Sequence, residues 1–239
     1  MVYQGSKAKL VPWLLPLLEP FLAKAPVYYE PFVGGANLIC EIPHAVRVGS
    51  DANKYLIALL KKVAEDPTVL PRTIDEETYT RVRDHKGEYE PWQVGMVGFC
   101  ATYRGLYWGG YARDEGGERP RQLLDNLRNQ SARLRGIEFR WADYRRINVE
   151  AFPGGTLFMC DPPYRNTSGY GINTGFDSDA FYRWCGRVHG AGHTVLLTEF
   201  WAPSVFEEIS RRERHDFLSA QFQGDEVPMV TERLFIYRG

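Results

Sequence analysis

An α/β fold with a mostly parallel sheet and a helical insert is the architecture this sequence predicts. Short apolar runs that end on glycine or an acid alternate with amphipathic stretches in both halves of the chain, as strands do when crossover helices cover them. The alternation lapses between about residues 61 and 125, where helical pieces lead into the glycine, aromatic and arginine mixture TYRGLYWGGYARDEGGERPRQ. A chain of 239 residues can bury one large core and carry a smaller insert. The expected division is therefore a main domain of residues 1–60 and 126–239 around an insert of 61–125.

In chain order, KLVPWLLPLLEPFLA reads as a short amphipathic helix broken by prolines, and VYYEPFVGGANLICEI as strand, glycine turn and helix. AVRVGSD is a second strand that ends on an acid. NKYLIALLKKVAED then places Tyr55, Leu56, Leu59, Leu60 and Val63 on one helical face. Beyond the insert, QLLDNLRNQSARL is a helix, IEFRWAD and TLFMC are strands, DAFYRWCGRVH is a helix and HTVLLTEF a strand. EVPMVTERLFIYRG looks like a strand pair.

The formal net charge of −1 gives no global basic field, so a nucleic-acid partner would have to be met by a local patch. Residues 104–146 offer one, with ten arginines against six acids and no lysine. Arginine forks suit phosphates and guanine edges, while the plainer reading is a solvated, ion-paired helix surface. Cys40, Cys100, Cys160 and Cys185 show no CxxC spacing and fit a reduced intracellular protein. His189 and His193 have the spacing of a helical metal pair, but Gly190 and Gly192 between them favour a turn, and no metal is expected. The sequence lacks a signal-like opening and any apolar run of bilayer length, so a soluble cytoplasmic protein is expected.

In open α/β sheets, ligands bind beyond the carboxyl ends of the strands. Asp51, Asp143 and Asp161 each follow a strand there, and three together suggest a site where one alone would suggest a turn or helix cap. Gly34 and Gly35 can bring backbone close to a ligand, and Asp51, 17 residues beyond Gly34, can take up ribose hydroxyls. The run lacks the full GxGxxG spacing, which favours a nucleoside without a pyrophosphate. After the buried strand TLFMC the chain stops on DPPY. Asp161 and the carbonyl of Pro162 could grip both N–H groups of an exocyclic purine amine, whose lone pair is otherwise delocalised, with Tyr164 stacking on the base. Such a base must leave its duplex. A proline-stiffened turn is the alternative.

These segments resemble, in order, the motifs of the Dam-like, D12-class DNA adenine-N6 methyltransferases of bacteria and phages. YQGSK resembles the family's aromatic-x-G-G-K opening, EPFVGG its glycine motif, DANKYL its D-x-N-x-x-L motif, DPPY its catalytic motif and TERLFIY its C-terminal strand. The resemblance covers most of the chain. It implies a Rossmann-like S-adenosylmethionine-dependent methyltransferase fold with an inserted helical target-recognition domain, acting on double-stranded DNA, and leaves room for a cognate restriction endonuclease. It implies Asp161, Pro162 and Tyr164 as catalytic. Tyr3, Lys7, Asp51 and Asp161 would contact the donor, Phe32, Gly34 and Gly35 would line its site, and Asp143 with Tyr144 would lie near its adenine ring. In the insert, TYRGLYWGGYAR stands where the family carries an asparagine-rich run. Arg104, Tyr107, Trp108, Tyr111 and Arg113 are the candidates for DNA contact, with Tyr107 and Trp108 equally readable as core. Two rival readings remain: a methyltransferase for another planar nitrogen, in RNA or protein glutamine, and a catalytically silent DNA-binding or partner-subunit module.

Overall fold

The computed structural model describes residues 1–3, 5–113, 118–164, 175–215 and 229–239. Its centre is a seven-stranded sheet of order β3-β2-β1-β4-β5-β7-β6. The strands are β1 (Tyr28–Glu30), β2 (Arg47–Asp51), β3 (Ile137–Trp141), β4 (Leu157–Cys160), β5 (Thr194–Glu199), β6 (Phe206–His215) and β7 (Met229–Tyr237). The first five are parallel, and β7 runs antiparallel between β5 and β6. The mostly parallel α/β architecture expected from the alternation is thus the one observed. From β1 the chain builds outward through β2 and β3 on one side and through β4 and β5 on the other, so the strand order reverses beside β1. That reversal opens a crevice above the carboxyl ends of β1 and β4.

Six α-helices are described: α1 (Val11–Leu22), α2 (Lys54–Glu65), α3 (Glu76–Asp84), α4 (Pro91–Cys100), α5 (Glu118–Leu134) and α6 (Ser178–Gly190). Pro16 and Pro20 lie inside α1 without breaking it. Together with Pro12 they recur every fourth residue on the exposed face, so the carbonyls they leave unpaired meet water. Leu14 and Leu18 on the opposite face are fully buried. The expected helix after the glycine turn is only a 3-10 turn, Ile39–Glu41. Helix α2 starts at Asn53, whose side chain accepts from the N–H groups of Tyr55 and Leu56 at 3.0 and 3.3 Å. β6 went unread in the sequence because its residues FEEISRRERH are mostly charged. It is the edge strand that pairs with β7, so the strand pair expected within 226–239 is instead, over its described residues, a single strand, with residues 226–228 outside the described part.

One core layer joins α1, α2, α4, α5 and one face of the sheet, through residues such as Leu14, Leu56, Leu60, Val97, Phe99 and Leu124. The other packs α6 on the opposite face through Tyr29, Phe158, Phe181, Trp184 and Val195. Helix α2 runs across residue 60, and α4 crosses it so closely that a Cβ at Gly95 would lie 2.2 Å from the Tyr55 carbonyl oxygen. The helical segment therefore shares its core with the sheet.

Candidate active site

A pocket of about 290 Å³ opens at the strand-order reversal. It is lined from the N-terminal segment by Tyr3 and Lys7, from the loop after β1 by Phe32, Gly34 and Gly35, and from the end of β2 by Asp51. Asp143 and Tyr144 line it beyond β3, as do Asp161 and Pro162 beyond β4. The structure thus brings into one cleft residues spread over most of the sequence. The sequence reading had passed over further lining residues, Glu30, Asn37, Phe176 and Asp177 among them.

The glycine turn lies against Tyr3. A Cβ on Gly34 would stand 2.9 Å from the Tyr3 ring, and one on Gly35 would stand 2.8 Å from the Tyr3 Cβ and 2.9 Å from the Asn37 amide nitrogen. Gly34 also adopts φ +48°, which L side chains rarely adopt. The close approach that these glycines permit is therefore made by Tyr3, an internal wall of the pocket. Asp51 fixes the same turn. One carboxylate oxygen accepts from Gly34 N–H at 3.2 Å and the other from Asn53 N–H at 2.9 Å. Burial pushes its carboxyl up to about 6 against these two backbone hydrogen bonds.

Asp161 lines the pocket just beyond the end of β4. Its Oδ1 accepts from Lys7 Nζ at 3.0 Å and from the Thr198 hydroxyl at 2.8 Å. Burial raises its pKa above the ordinary carboxylate value, with the Lys7 charge and both hydrogen bonds opposing that rise. Thr198 was missed because on β5 it reads as one more residue of a buried strand. Glu30 is a second buried acid in the pocket, accepting from the Tyr28 hydroxyl at 2.6 Å. Desolvation pushes it up to about 8 despite that hydrogen bond, and the negative charge of Asp161 adds to the rise. It was visible as the first letter of EPFVGG, but nothing in the sequence marks the acid as buried.

Two further expected site residues are engaged by side chains of the chain itself. Tyr164, expected to stack on a base, is buried, donates its hydroxyl to Glu232 at 2.8 Å, and meets Lys7 Nζ 4.3 Å from its ring centroid. The Phe200 ring packs edge-on against it at 4.7 Å. Asp143, expected near an adenine ring, gives both carboxylate oxygens to the Arg145 guanidinium at 2.9 and 2.6 Å, and this fork holds its pKa below the usual value. The Tyr144 ring joins Phe32, Phe176 and Phe181 in an aromatic cluster with centroids 5.3 to 5.8 Å apart.

The DNA-contact candidates of the helical segment mostly face inward. Tyr107 packs on Phe99 with centroids 4.7 Å apart, and Trp108 packs on Tyr79 at 5.2 Å. Tyr111 donates its hydroxyl to the Ile74 carbonyl at 2.9 Å. Arg113 is exposed but forks onto Glu76, while the Arg104 side chain lies outside the described part. Arg128, Arg133, Arg140 and Arg145 likewise pair with carboxylates of the chain, so about half of the basic segment is neutralised locally. The histidine pair is structural: His193 lies past the end of α6, buried, with Nε2 2.9 Å from the Val149 carbonyl oxygen. Among the described residues no group of three or more His, Cys, Asp and Glu side chains could hold a metal, and no helix is long and apolar enough to cross a membrane.

Comparison with known proteins yields one family. The model described as the D12 class N6 adenine-specific DNA methyltransferase matches residues 3–184. Among curated proteins there is no significant match. Among solved structures, the chain is similar at 11% identity and a TM-score of 0.36 to SMU.472, whose assignment as a methyltransferase is itself provisional, crystallised as a complex with SAH. That similarity covers 98% of this chain and 52% of the other, so the chain spans about half the length of its structural neighbour.

Proposed function

Because the chain belongs to the D12 class N6 adenine-specific DNA methyltransferase family, we propose that it transfers a methyl group from S-adenosylmethionine to the N6 amino nitrogen of adenine in double-stranded DNA. The state of Asp161 carries this reading. Both described donors to its carboxylate, Lys7 and Thr198, sit on Oδ1, which leaves Oδ2 to accept from a substrate amine. The carbonyl of Pro162, in the pocket wall beside it, is the second acceptor, and the two prolines supply no N–H that could compete for either oxygen. Two acceptors on the two N–H bonds draw the amino nitrogen out of conjugation and concentrate its lone pair. Asp161 is also placed to take the proton that the nitrogen sheds. An adenine reaches this pocket only after leaving its stack.

The lining suits the donor. Among the described lining residues Asp51, Asp143, Asp161 and Asp177 outnumber Lys7 and Arg145, an excess of negative charge appropriate to a sulfonium cation. When bound, the donor supplies an electrophilic methyl group. Asp51 would hold its ribose hydroxyls, and Phe32 and Tyr144 would cover its adenine beside Asp143. Tyr3 with the Gly34–Gly35 turn would bound its amino-acid end, and Lys7 would meet its carboxylate with an N–H not engaged by Asp161. The helical segment, expected as 61–125, is assigned to target recognition.

The test is transfer of labelled methyl to DNA, followed by sequencing of the methylated sites. Asp161→Ala should lower transfer by at least about a thousandfold, in line with the loss of a group acting in the transition state. DNA affinity should stay near that of the wild type. Label on cytosine, on RNA alone, or equal transfer by the variant would each defeat the reading.

A further inference from the structure

The short segment from Asp161 to Tyr164 leaves β4, and two neighbouring strands hold its ends. Strand β5 supplies Thr198, whose hydroxyl donates to Asp161 Oδ1 at 2.8 Å. Strand β7 supplies Glu232, whose Oε2 accepts from the Tyr164 hydroxyl at 2.8 Å. Thr198 stands opposite Leu234 in the antiparallel register, and Glu232 is two residues from Leu234, so alternation puts both grips on one face of the sheet. Between the gripped ends lie Pro162 and Pro163, whose fixed φ leaves the segment few ways to bend. The direction of the Pro162 carbonyl therefore depends on where Tyr164 is tied as much as on where Asp161 is held.

Tyr164 also supports a second group. Lys7 Nζ rests 4.3 Å from the centroid of its ring and 3.0 Å from Asp161 Oδ1, so the ring is a shelf beneath the cation that meets the acid. The edge-on Phe200 ring braces the shelf at 4.7 Å, and the Phe200 carbonyl accepts from Arg233, the residue after Glu232. Tyr164 is 7% exposed, and the pocket wall at this point is formed by Asp161, Pro162 and Pro163. Glu232 is 1% exposed. A carboxylate buried so deeply carries a desolvation cost that an apolar pair of the same shape would avoid. We propose that Glu232 is a positioning residue for methyl transfer, which through Tyr164 sets the direction of the Pro162 carbonyl and the seat of Lys7 against Asp161. The proposal rests on the methyl-transfer reading and gives Tyr164 the task of a strut in place of the base stacking expected from the sequence.

The experiment measures single-turnover transfer of labelled methyl to double-stranded DNA by the intact chain at saturating donor and DNA. Rates are taken per donor-binding site, counted by calorimetry with SAH, and melting temperatures are recorded beside them. A misplacement of about 1 Å can cost about a hundredfold in rate, and Glu232→Ala should lose on that order while DNA affinity stays near the wild type. Tyr164→Phe keeps the ring and removes only the hydroxyl, and should lose about tenfold, as for one hydrogen bond to a charged group. The double variant should be no slower than Glu232→Ala alone, because both changes break the same bond. Glu232→Gln still offers an oxygen to the hydroxyl and should recover most of the loss. A residue that served only the stability of the fold would lower the melting temperature and the number of sites, with the rate per site unchanged. Tyr164→Phe turning over like the wild type per site, or losses that multiply in the double variant, would overturn the proposal, and Tyr164→Phe with Glu232→Gln decides the matter even where Glu232→Ala does not fold. If the wild type methylates adenine and Tyr164→Phe matches it, only this proposal falls. If the wild type methylates no adenine, the methyl-transfer reading falls and takes the proposal with it.

Discussion

Replacing Lys7 with methionine removes the one cation bonded to Asp161 among the described residues while keeping most of the side-chain length. At the observed separation of 3.0 Å the pair attracts by about 5 kcal/mol for an effective dielectric near 20. Desolvation of the ammonium offsets part of this, so the net loss to the carboxylate is on the order of 3 kcal/mol. Losing that stabilisation of the carboxylate raises the Asp161 pKa further. The sign follows from which form Lys7 favours. It stabilises the carboxylate, and burial already holds the group above its ordinary value, so the acid limb of the reaction moves further toward neutrality. The assay is single-turnover methyl transfer from pH 5 to 9 at saturating donor and DNA. The variant should be most impaired at the acid end of that range, should regain much of its rate at high pH, and should return toward the wild-type profile in Lys7→Arg. An acid limb that stays in place in Lys7→Met, with the rate lowered equally at every pH, would refute the idea that Lys7 controls the charge of Asp161.

Gly35→Ala puts a Cβ 2.8 Å from that of Tyr3, so Tyr3 must leave the pocket wall. A stability loss of about 1 to 3 kcal/mol in urea titration should accompany donor affinity at least tenfold weaker by calorimetry. Glu30 has a folded-state pKa raised to about 8, so the native state binds more protons than the unfolded chain between roughly pH 4.5 and 8, and stability falls as pH rises through that window. Glu30→Gln should remove that slope and melt above the wild type at pH 8 in thermal scans, while a slope identical in both proteins would show that Glu30 ionises freely.

The elements were legible where the chemistry is local. Short apolar runs marked β2 and β4, and period 3.6 marked α2, α5 and α6, within a few residues, because a strand covered on both faces must be apolar throughout and a helix must bury one face whatever surrounds it. The glycine turn, DANKYL and DPPY were legible because special backbone geometry and clustered acids at strand ends leave a mark in composition. The charged edge strand β6 left no such mark, since an edge needs little apolar surface. The inward packing of Tyr107, Trp108 and Tyr111 left none either, since an aromatic side chain reads the same whether it faces a core or a ligand.

The sequence alone settled the class of fold, the order of its parallel strands along the chain and the residues capable of chemistry, because periodicity and residue type are properties of neighbours in the chain. Only the tertiary structure decided which of those residues meet. Lys7 and Asp161 are separated by most of the chain yet lie 3.0 Å apart, and Thr198, Glu30 and Glu232 join the pocket or its wall although nothing local in the sequence marks them as buried partners. The reason is geometric: a reversal of strand order converges loops from distant segments on one crevice, and the burial there sets the ionisation of each acid by what surrounds it in space.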